Sequence, residues 1–230
     1  MSAKPEQLNN GLWRWTERHP EWHPGEFGSE VACFAVQAGE ETLLIDPLLP
    51  EDPAPVIALV DEIVGEKLTL LVTIPYHVRS AEEIWRRYRK QAETTIRGHA
   101  GAAKRLDDRS GFREIDPADE LPGGVTAHRI GKPVRNETPF HLPSHDALVF
   151  GDAVAEVGGR LVVWSDRRVD DKVERFYRER FNPTLEPLLE LDFERVLVTH
   201  GQPVMKEGRK ALRSALSRKP WYHVRDSLGA

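Results

Sequence analysis

The sequence has little of what disulfide-bonded, zinc-ribbon or membrane proteins need. It contains one cysteine, Cys33, and no apolar run approaches the ~20 residues of a membrane-spanning helix. A single cysteine cannot form an internal disulfide, and it excludes a cysteine-rich zinc module. Any metal would therefore be held by histidine, aspartate and glutamate. Because the first ten residues also lack the apolar core of a secretory signal, we expect a cytoplasmic protein.

An excess of positive charge is missing as well. The 230 residues include 32 Lys and Arg against 37 Asp and Glu, for a formal net charge of -5 at pH 7. This balance argues against a nucleic-acid partner, and the absence of a long apolar run argues against a membrane partner. The composition suits one globular domain over residues 1–230, with a tryptophan-rich segment at 1–28 and a C-terminal helix and tail at 206–230.

Short runs of apolar and β-branched residues predict a protein rich in strands. Turn residues separate these runs, and most of the runs are too short to be helices. Eight strands are predicted, at residues 31–36, 42–45, 68–73, 94–97, 125–128, 147–150, 161–164 and 195–199.

Helices are predicted between several of these strands, from start signals and from apolar spacing. Asp52-Pro53 precedes an amphipathic run to residue 63, and Ser80 with Glu83 forms a capping-box pattern before residues 81–91. Further helices are predicted at 166–180, 182–189 and 209–219. Since strands and helices do not alternate strictly, the pattern favours a layered α/β sandwich with mixed sheets flanked by helices over a barrel.

Ionisable residues follow four of the predicted strands directly or after a short turn. They are Asp46, His77, Asp152 and His200. In sheets that helices cover, loops converge on a ligand crevice beyond the carboxyl ends of the strands. The sequence therefore predicts one site that contains these side chains.

The blocks around these residues resemble the successive motifs of the metallo-β-lactamase fold superfamily. The blocks lie at 42–47, 70–73, 148–152 and 196–201, in the order of that family and at about its spacing. The resemblance covers roughly residues 30 to 205. It implies an αββα sandwich whose site lies between the two sheets and commonly holds one or two zinc or iron ions that activate water for hydrolysis. It also implies that Asp46 is a structural acid that binds backbone in its turn.

The sequence departs from this family at the metal-binding motif. Where the family usually has His-x-His-x-Asp-His, residues 74–79 read Ile-Pro-Tyr-His-Val-Arg. Only Asp152 and His200 remain as residues of ligand type, and a catalytic zinc normally takes three protein ligands. The four ligand positions are replaced by Ile74, Tyr76, Val78 and Arg79.

Two interpretations of this loss stay open at the level of sequence. In the first, the Arg79 cation forms an ion pair with Asp152 and fills the vacant charge site. In the second, His77 joins Asp152, His200 and one further histidine in a rebuilt site for a weakly bound divalent metal, zinc or iron. The candidates for that further histidine are His128, His141 and His145.

Three functions are compatible with these residues. The first is hydrolysis of a small ester, thioester, lactone or phosphoester by His200, Asp152 and His77, with Arg79 stabilising negative charge. The second is non-catalytic binding of an anionic small molecule by Arg79, Tyr76 and His200. The third is a scaffold whose former site is filled with side chains. No Gly-x-Ser-x-Gly elbow and no glycine-rich phosphate loop supports serine hydrolysis or nucleotide-driven chemistry.

The N-terminal tryptophans also have more than one interpretation. Trp13, Trp15 and Trp22 either line the mouth of a site, cover a sheet edge or form a homodimer contact. Cys33 lies inside an apolar strand and is predicted to be a buried, inert thiol.

Overall fold

The first half of the chain forms a seven-stranded sheet. The computed structural model describes residues 4–23, 27–116 and 119–223. The strands follow one another across the sheet in sequence order. The first four strands pair antiparallel with one another. The fourth strand also begins a parallel set that continues to the seventh. These strands are β1 (Glu6–Asn9), β2 (Leu12–Arg18), β3 (Glu30–Ala38), β4 (Glu41–Ile45), β5 (Lys67–Val72), β6 (Glu93–Gly98) and β7 (Phe112–Glu114).

The second half of the chain adds seven strands in two smaller sheets. They are β8 (Thr126–Ala127), β9 (Phe140–Leu142), β10 (Ala147–Phe150), β11 (Val154–Val157), β12 (Arg160–Ser165), β13 (Arg195–Val198) and β14 (Trp221–Tyr222). One sheet has the order β13-β10-β9-β8, and the other has the order β11-β12-β14. Strand β10 is parallel to β13 and antiparallel to β9.

Helices connect these strands and cover the outer faces of the sheets. Parallel neighbours need a crossover connection, and the first two crossovers in the large sheet contain α1 and α2. Five residues between α3 and α4, Tyr177–Phe181, form a π-helical turn, and a 3-10 segment follows at Glu186–Glu190. The α-helices are α1 (Ala54–Ile63), α2 (Ala81–Tyr88), α3 (Asp171–Phe176), α4 (Asn182–Leu185) and α5 (Gly208–Leu216).

Alternation of side chains along the strands divides the core into layers. In β5, Leu70 packs with α1 and α2, whereas Leu71 packs between the seven-stranded sheet and the four-stranded sheet. In β10, Val149 belongs to that same middle layer, and Leu148 packs with Leu212 of α5 on the far side. The layers therefore run helix, sheet, sheet, helix, which is the αββα arrangement predicted from the sequence.

All eight predicted strands are present, and the structure adds strands that the sequence pattern did not indicate. The tryptophan-rich segment forms β1 and β2, so two of its tryptophans cover a sheet. Trp15 is buried and donates its Nε1–H to the Leu48 carbonyl at 2.9 Å, and Trp13 packs against the same core. Residues 1–3, 24–26 and 224–230 of the two terminal segments lie outside the described residues.

The predicted capping box at α2 is wrong. The Ser80 hydroxyl makes no hydrogen bond to the helix, because it accepts the Leu49 N–H at 2.9 Å and so ties another loop to the helix start. The carboxylate of Glu82, next to the predicted capping residue Glu83, accepts the N–H groups of Asp107 and Asp108.

No helix in the described part of the chain is long and apolar enough to span a membrane.

Candidate functional site

The residues that follow four strands meet at one edge of the sandwich, as the sequence pattern predicts. Asp46 follows β4, and Asp152 and His200 lie just beyond β10 and β13. His77 lies on a short 3-10 helix, Pro75–Val78, that follows β5. A cavity of about 290 Å³ opens at this edge. Asp46 does not line it, whereas five other residues singled out from the sequence do: Tyr76, His77, Arg79, Asp152 and His200.

A buried histidine joins two carboxylates beneath the cavity. The Asp46 carboxylate accepts the Thr73 N–H at 2.8 Å and lies 2.8 Å from His77 Nδ1. The Thr73 hydroxyl also donates to Asp46. The other ring nitrogen of His77, Nε2, lies 3.3 Å from Asp152 Oδ1. Asp46 is thus a structural acid, and it also fixes the orientation of the His77 ring.

The charges around His77 favour its protonated form. Burial and the nearby Arg79 cation lower the pKa of His77, but the Asp152 and Asp46 carboxylates outweigh them and raise it to about 9. For Asp152, burial acts to raise the pKa, yet His77 and His200 hold it well below the usual carboxyl range. At neutral pH the site therefore contains an imidazolium between two carboxylates.

His200 has one ring nitrogen near a carboxylate and one without a partner. Its Nε2 lies 3.6 Å from Asp152 Oδ1. Its Nδ1 is buried and makes no hydrogen bond to any described residue. The rings of Phe27 and Trp164 pack against the imidazole, with centroids 5.3 and 5.8 Å away. With a proton on Nε2 facing Asp152, Nδ1 is a free acceptor, and we assign this tautomer from the position of the carboxylate.

Glu137 supports the Asp152 turn and was missed by the sequence analysis. Its buried carboxylate accepts the N–H groups of three consecutive residues, Gly151 at 2.9 Å, Asp152 at 2.9 Å and Ala153 at 2.8 Å. Burial, and then the charge of Asp152, raise the pKa of Glu137 to about 8 against the effect of these three donors. At Gly151 an added Cβ would lie 2.6 Å from Thr73 Oγ1, so the turn needs glycine there.

Replacing Glu137 by glutamine is expected to lower the free energy of unfolding by about 1–3 kcal/mol, because an amide cannot accept all three buried N–H groups. Urea unfolding measures this change. The matched control is Glu156→Gln, since Glu156 is a less buried carboxylate that also accepts backbone N–H groups, from Gly159 and Gln202. We expect the control to change stability by under about 0.5 kcal/mol. Equal losses in the two variants would contradict the role given to Glu137.

The predicted ion pair between Arg79 and Asp152 is wrong. Arg79 Nη1 donates to the Asp46 carbonyl at 2.9 Å, while Asp152 faces His77 and His200. Arg79 ends the 3-10 helix with a φ of 44°. Two of its nitrogens, Nε and Nη2, are buried without a hydrogen-bond partner among the described residues. Asp46, with a φ of 49°, is a second non-glycine residue here in a conformation that is uncommon away from functional sites.

Aromatic side chains form much of the wall of the cavity. Tyr76 is 60% exposed at its rim, with the Arg105 guanidinium 4.2 Å above its ring centroid. Of the three N-terminal tryptophans, Trp22 lines the cavity, whereas Trp13 and Trp15 do not. The other aromatic wall residues are His19, Phe27, Trp164, Tyr222 and His223.

The remaining histidine candidates lie elsewhere. His141 Nε2 is hydrogen-bonded to the Asp192 carbonyl and His145 Nε2 to the Gln37 carbonyl, at 2.8 and 2.9 Å. His128 pairs with the Thr126 hydroxyl at 2.9 Å. A rebuilt site that recruits one of these three is therefore wrong.

Comparison with known proteins gives a clear result at the level of structure. No family model matches the sequence, and no curated protein matches it. Solved structures do match over almost the whole chain. A metallo-beta-lactamase from Pontibacter korlensis superposes with a TM-score of 0.63 at 12% identity, covering 94% of this chain and 99% of its own. The chain has the metallo-β-lactamase fold.

Two further structures of this fold contain metal. The metallo-beta-lactamase FIM-1 from Pseudomonas aeruginosa, in a mono-zinc form, matches with a TM-score of 0.61 at 11% identity, covering 94% of this chain and 95% of its own. The chemotaxis sensor ODP, in a peroxy diiron state, matches with a TM-score of 0.60 at 12% identity, covering 96% of both chains. The resemblance carried by the four sequence blocks is thus confirmed for the fold.

The residues of this chain do not fit the metal that the fold implies. Both ring nitrogens of His77 face carboxylates, and the Arg79 cation lines the same cavity. Within residues 4–23, 27–116 and 119–223, no group of three or more His, Cys, Asp or Glu is arranged to hold a metal ion. The cavity instead contains the positive charges of His77 and Arg79.

Proposed function

We propose that the protein is a metal-independent hydrolase of a small ester, thioester, lactone or phosphoester. One observation carries this proposal: His200 faces a carboxylate through Nε2, while its Nδ1 is buried without a partner in a residue that lines an open cavity. A carboxylate on one nitrogen and a free second nitrogen are the features of an oriented general base. The fold agrees with hydrolysis, although fold alone does not determine function.

His200 Nδ1 is closed off from solvent in the described structure, so this mechanism requires a water molecule to enter beside it. Nδ1 then takes a proton from that water as the water oxygen attacks the carbonyl carbon or phosphorus of the substrate. The imidazolium then donates the proton to the leaving group, and the base is restored. The negative charge of Asp152, whose Oδ1 lies 3.6 Å from Nε2, stabilises the charged form of the ring. The unpartnered N–H groups of Arg79 are the donors available for the negative charge that develops on the substrate.

His77 has a different role from the one suggested by sequence. Because Asp46 and Asp152 face its two ring nitrogens, it has no free nitrogen with which to accept a proton. It acts as a fixed positive charge that keeps Asp152 ionised and in place. It is therefore a positioning residue, and His200 is the base.

The test is a hydrolysis assay with p-nitrophenyl acetate, phenyl thioacetate, dihydrocoumarin and p-nitrophenyl phosphate, on protein dialysed against a chelator. We expect turnover of at least one probe, and a loss of 100-fold or more in kcat/KM in His200→Ala, the range of general base catalysis, about 10²–10⁴-fold. The control is His128→Ala, which removes a histidine that lies outside the cavity and is expected to leave turnover unchanged.

Three results would overturn the proposal: no turnover of any probe, turnover that survives His200→Ala, or turnover that chelation abolishes and zinc restores. The second candidate function, binding of an anion without turnover, is favoured by the two unpartnered nitrogens of Arg79. It predicts saturable binding of phenylphosphonate that is weakened in Arg79→Lys. Because His200 is one of the residues assigned to the anion in this function, His200→Ala is expected to weaken the binding as well.

A further inference from the structure

The loop after β12 contributes to two cavities. Ser165 and Asp166 line the cavity of the candidate site, and the next two residues, Arg167 and Arg168, line a second cavity of about 690 Å³. This volume lies within the range of about 300–1,000 Å³ that small-molecule sites occupy. We call this second cavity the basic groove, because five of its ten lining residues are cations: Lys132, Arg135, Arg167, Arg168 and Lys172.

The lining of the basic groove carries more cations than carboxylates. Asp170 is its one carboxylate, and that side chain accepts the Val173 N–H at 2.8 Å at the start of α3. Arg167 makes an exposed contact with Asp166 at 3.3 Å. The other four cations form no ion pair with a described residue. The lining therefore has an excess of positive charge, although Asp166, Asp171 and Glu174 lie in the same stretch of chain.

Folding brings these charges together from two separate segments. Lys132 and Arg135 come from the loop between β8 and β9, and the other three cations come from residues 167–172. Like charges held in one concavity repel each other, so the arrangement is unfavourable until an anion enters. Arginine and lysine together are the side chains that bind phosphate groups.

An apolar surface lies beside the cations in the same groove. Phe176 is 38% exposed, although a large aromatic side chain gains by being buried. Its ring is held against Tyr177 at a centroid distance of 5.8 Å, and the Tyr177 hydroxyl donates to the Trp164 carbonyl at 3.2 Å. A partly exposed ring beside a cluster of cations is suited to stack on a nucleobase.

From these observations we infer that the basic groove binds a nucleotide that has two or more phosphate groups, with the phosphates on the arginines and lysines and the base against Phe176. The inference does not rest on the hydrolytic function proposed above. The same adenosine diphosphate group occurs in a free nucleotide and as one covalent part of a larger molecule such as coenzyme A. Binding measurements distinguish these two sources.

The experiment is calorimetric titration of the full chain with ADP, ATP and coenzyme A, with adenosine and inorganic tripolyphosphate as reference ligands. We expect saturable binding of the nucleotides, tighter than that of either reference. Tighter binding of coenzyme A than of ADP would identify the larger molecule as the ligand, and the reverse order would identify the free nucleotide. The double variant Arg168→Glu/Lys172→Glu is expected to weaken binding at least tenfold. Phe176→Ser is expected to remove the advantage of ATP over tripolyphosphate.

The matched control is Arg178→Glu/Arg180→Glu, which makes the same change of charge in the same segment but outside the groove. We expect it to change nucleotide affinity less than twofold, and His200→Ala to leave it unchanged. Because Arg168 and Lys172 are exposed, their variants should fold, and Arg168→Gln/Lys172→Gln provides a milder second pair. Absence of saturable nucleotide binding, equal effects of the groove and control variants, or equal affinity for tripolyphosphate and ATP would each overturn the inference.

Discussion

Replacing Asp46 by alanine is expected to lower the free energy of unfolding by about 3–5 kcal/mol, the range for removing one partner of a buried ion pair. The variant leaves the His77 imidazolium with one carboxylate where it had two. It also leaves the N–H and hydroxyl of Thr73 without their acceptor. Each of these groups is buried, so water cannot replace the lost carboxylate.

Urea unfolding at pH 7 measures this loss. The control is Glu41→Ala. The Glu41 Oε1 atom lies 2.9 Å from Nζ of Lys67, whose side chain is half exposed. Pairs of that kind contribute about 0–1 kcal/mol. If Asp46→Ala cost no more than Glu41→Ala, the buried chain from Asp46 to Asp152 would not be a source of stability.

The second large effect is a loss of stability in alkaline solution. The folded pKa of His77 is raised to about 9, whereas an unfolded histidine titrates near 6.5. Its contribution is therefore fully present below about pH 6.5 and disappears as the pH rises through about 9, a change of about 3 kcal/mol. The pKa of Glu137 is raised to about 8, so its contribution to stability is also lost as the pH rises, and that loss is nearly complete at about pH 8.

The measurement is a series of urea unfolding curves from pH 6 to pH 10. We expect the free energy of unfolding to fall steadily over this range in the natural protein. In His77→Gln, which cannot titrate, the fall above pH 8 should be much smaller, because the pKa of Glu137 lies at about that pH. Parallel curves for the two proteins would show that His77 is not the group responsible.

Much of the site could be predicted because its residues directly follow apolar strands. The patterns before Asp46, Asp152 and His200 each indicate a strand, and the carboxyl ends of neighbouring strands meet in space. What the sequence does not contain is the partner of each residue. The acceptor for the His77 Nδ1–H is 31 positions earlier, and no local pattern links the two.

The features that the sequence did not predict also depend on contacts between residues far apart in the chain or with backbone groups. Glu137 binds three backbone N–H groups of a turn 14 to 16 positions away, and backbone groups carry no signature in a sequence. The pairing of Arg79 with Asp152 was wrong because the guanidinium donates to the Asp46 carbonyl, a backbone acceptor 33 positions away that no local pattern indicates. The basic groove was hidden because residues 166–180 have the composition of an ordinary solvated helix.

The aromatic wall around His200 also gives the molecule an internal optical reporter. Trp22 and Trp164 line the cavity, and Trp164 lies 5.8 Å from the imidazole of His200. A ligand that enters displaces water from these indoles and changes the charges beside them. Emission from these tryptophans therefore responds to what occupies the cavity, so that small molecules can be screened against the unlabelled protein before any substrate is known.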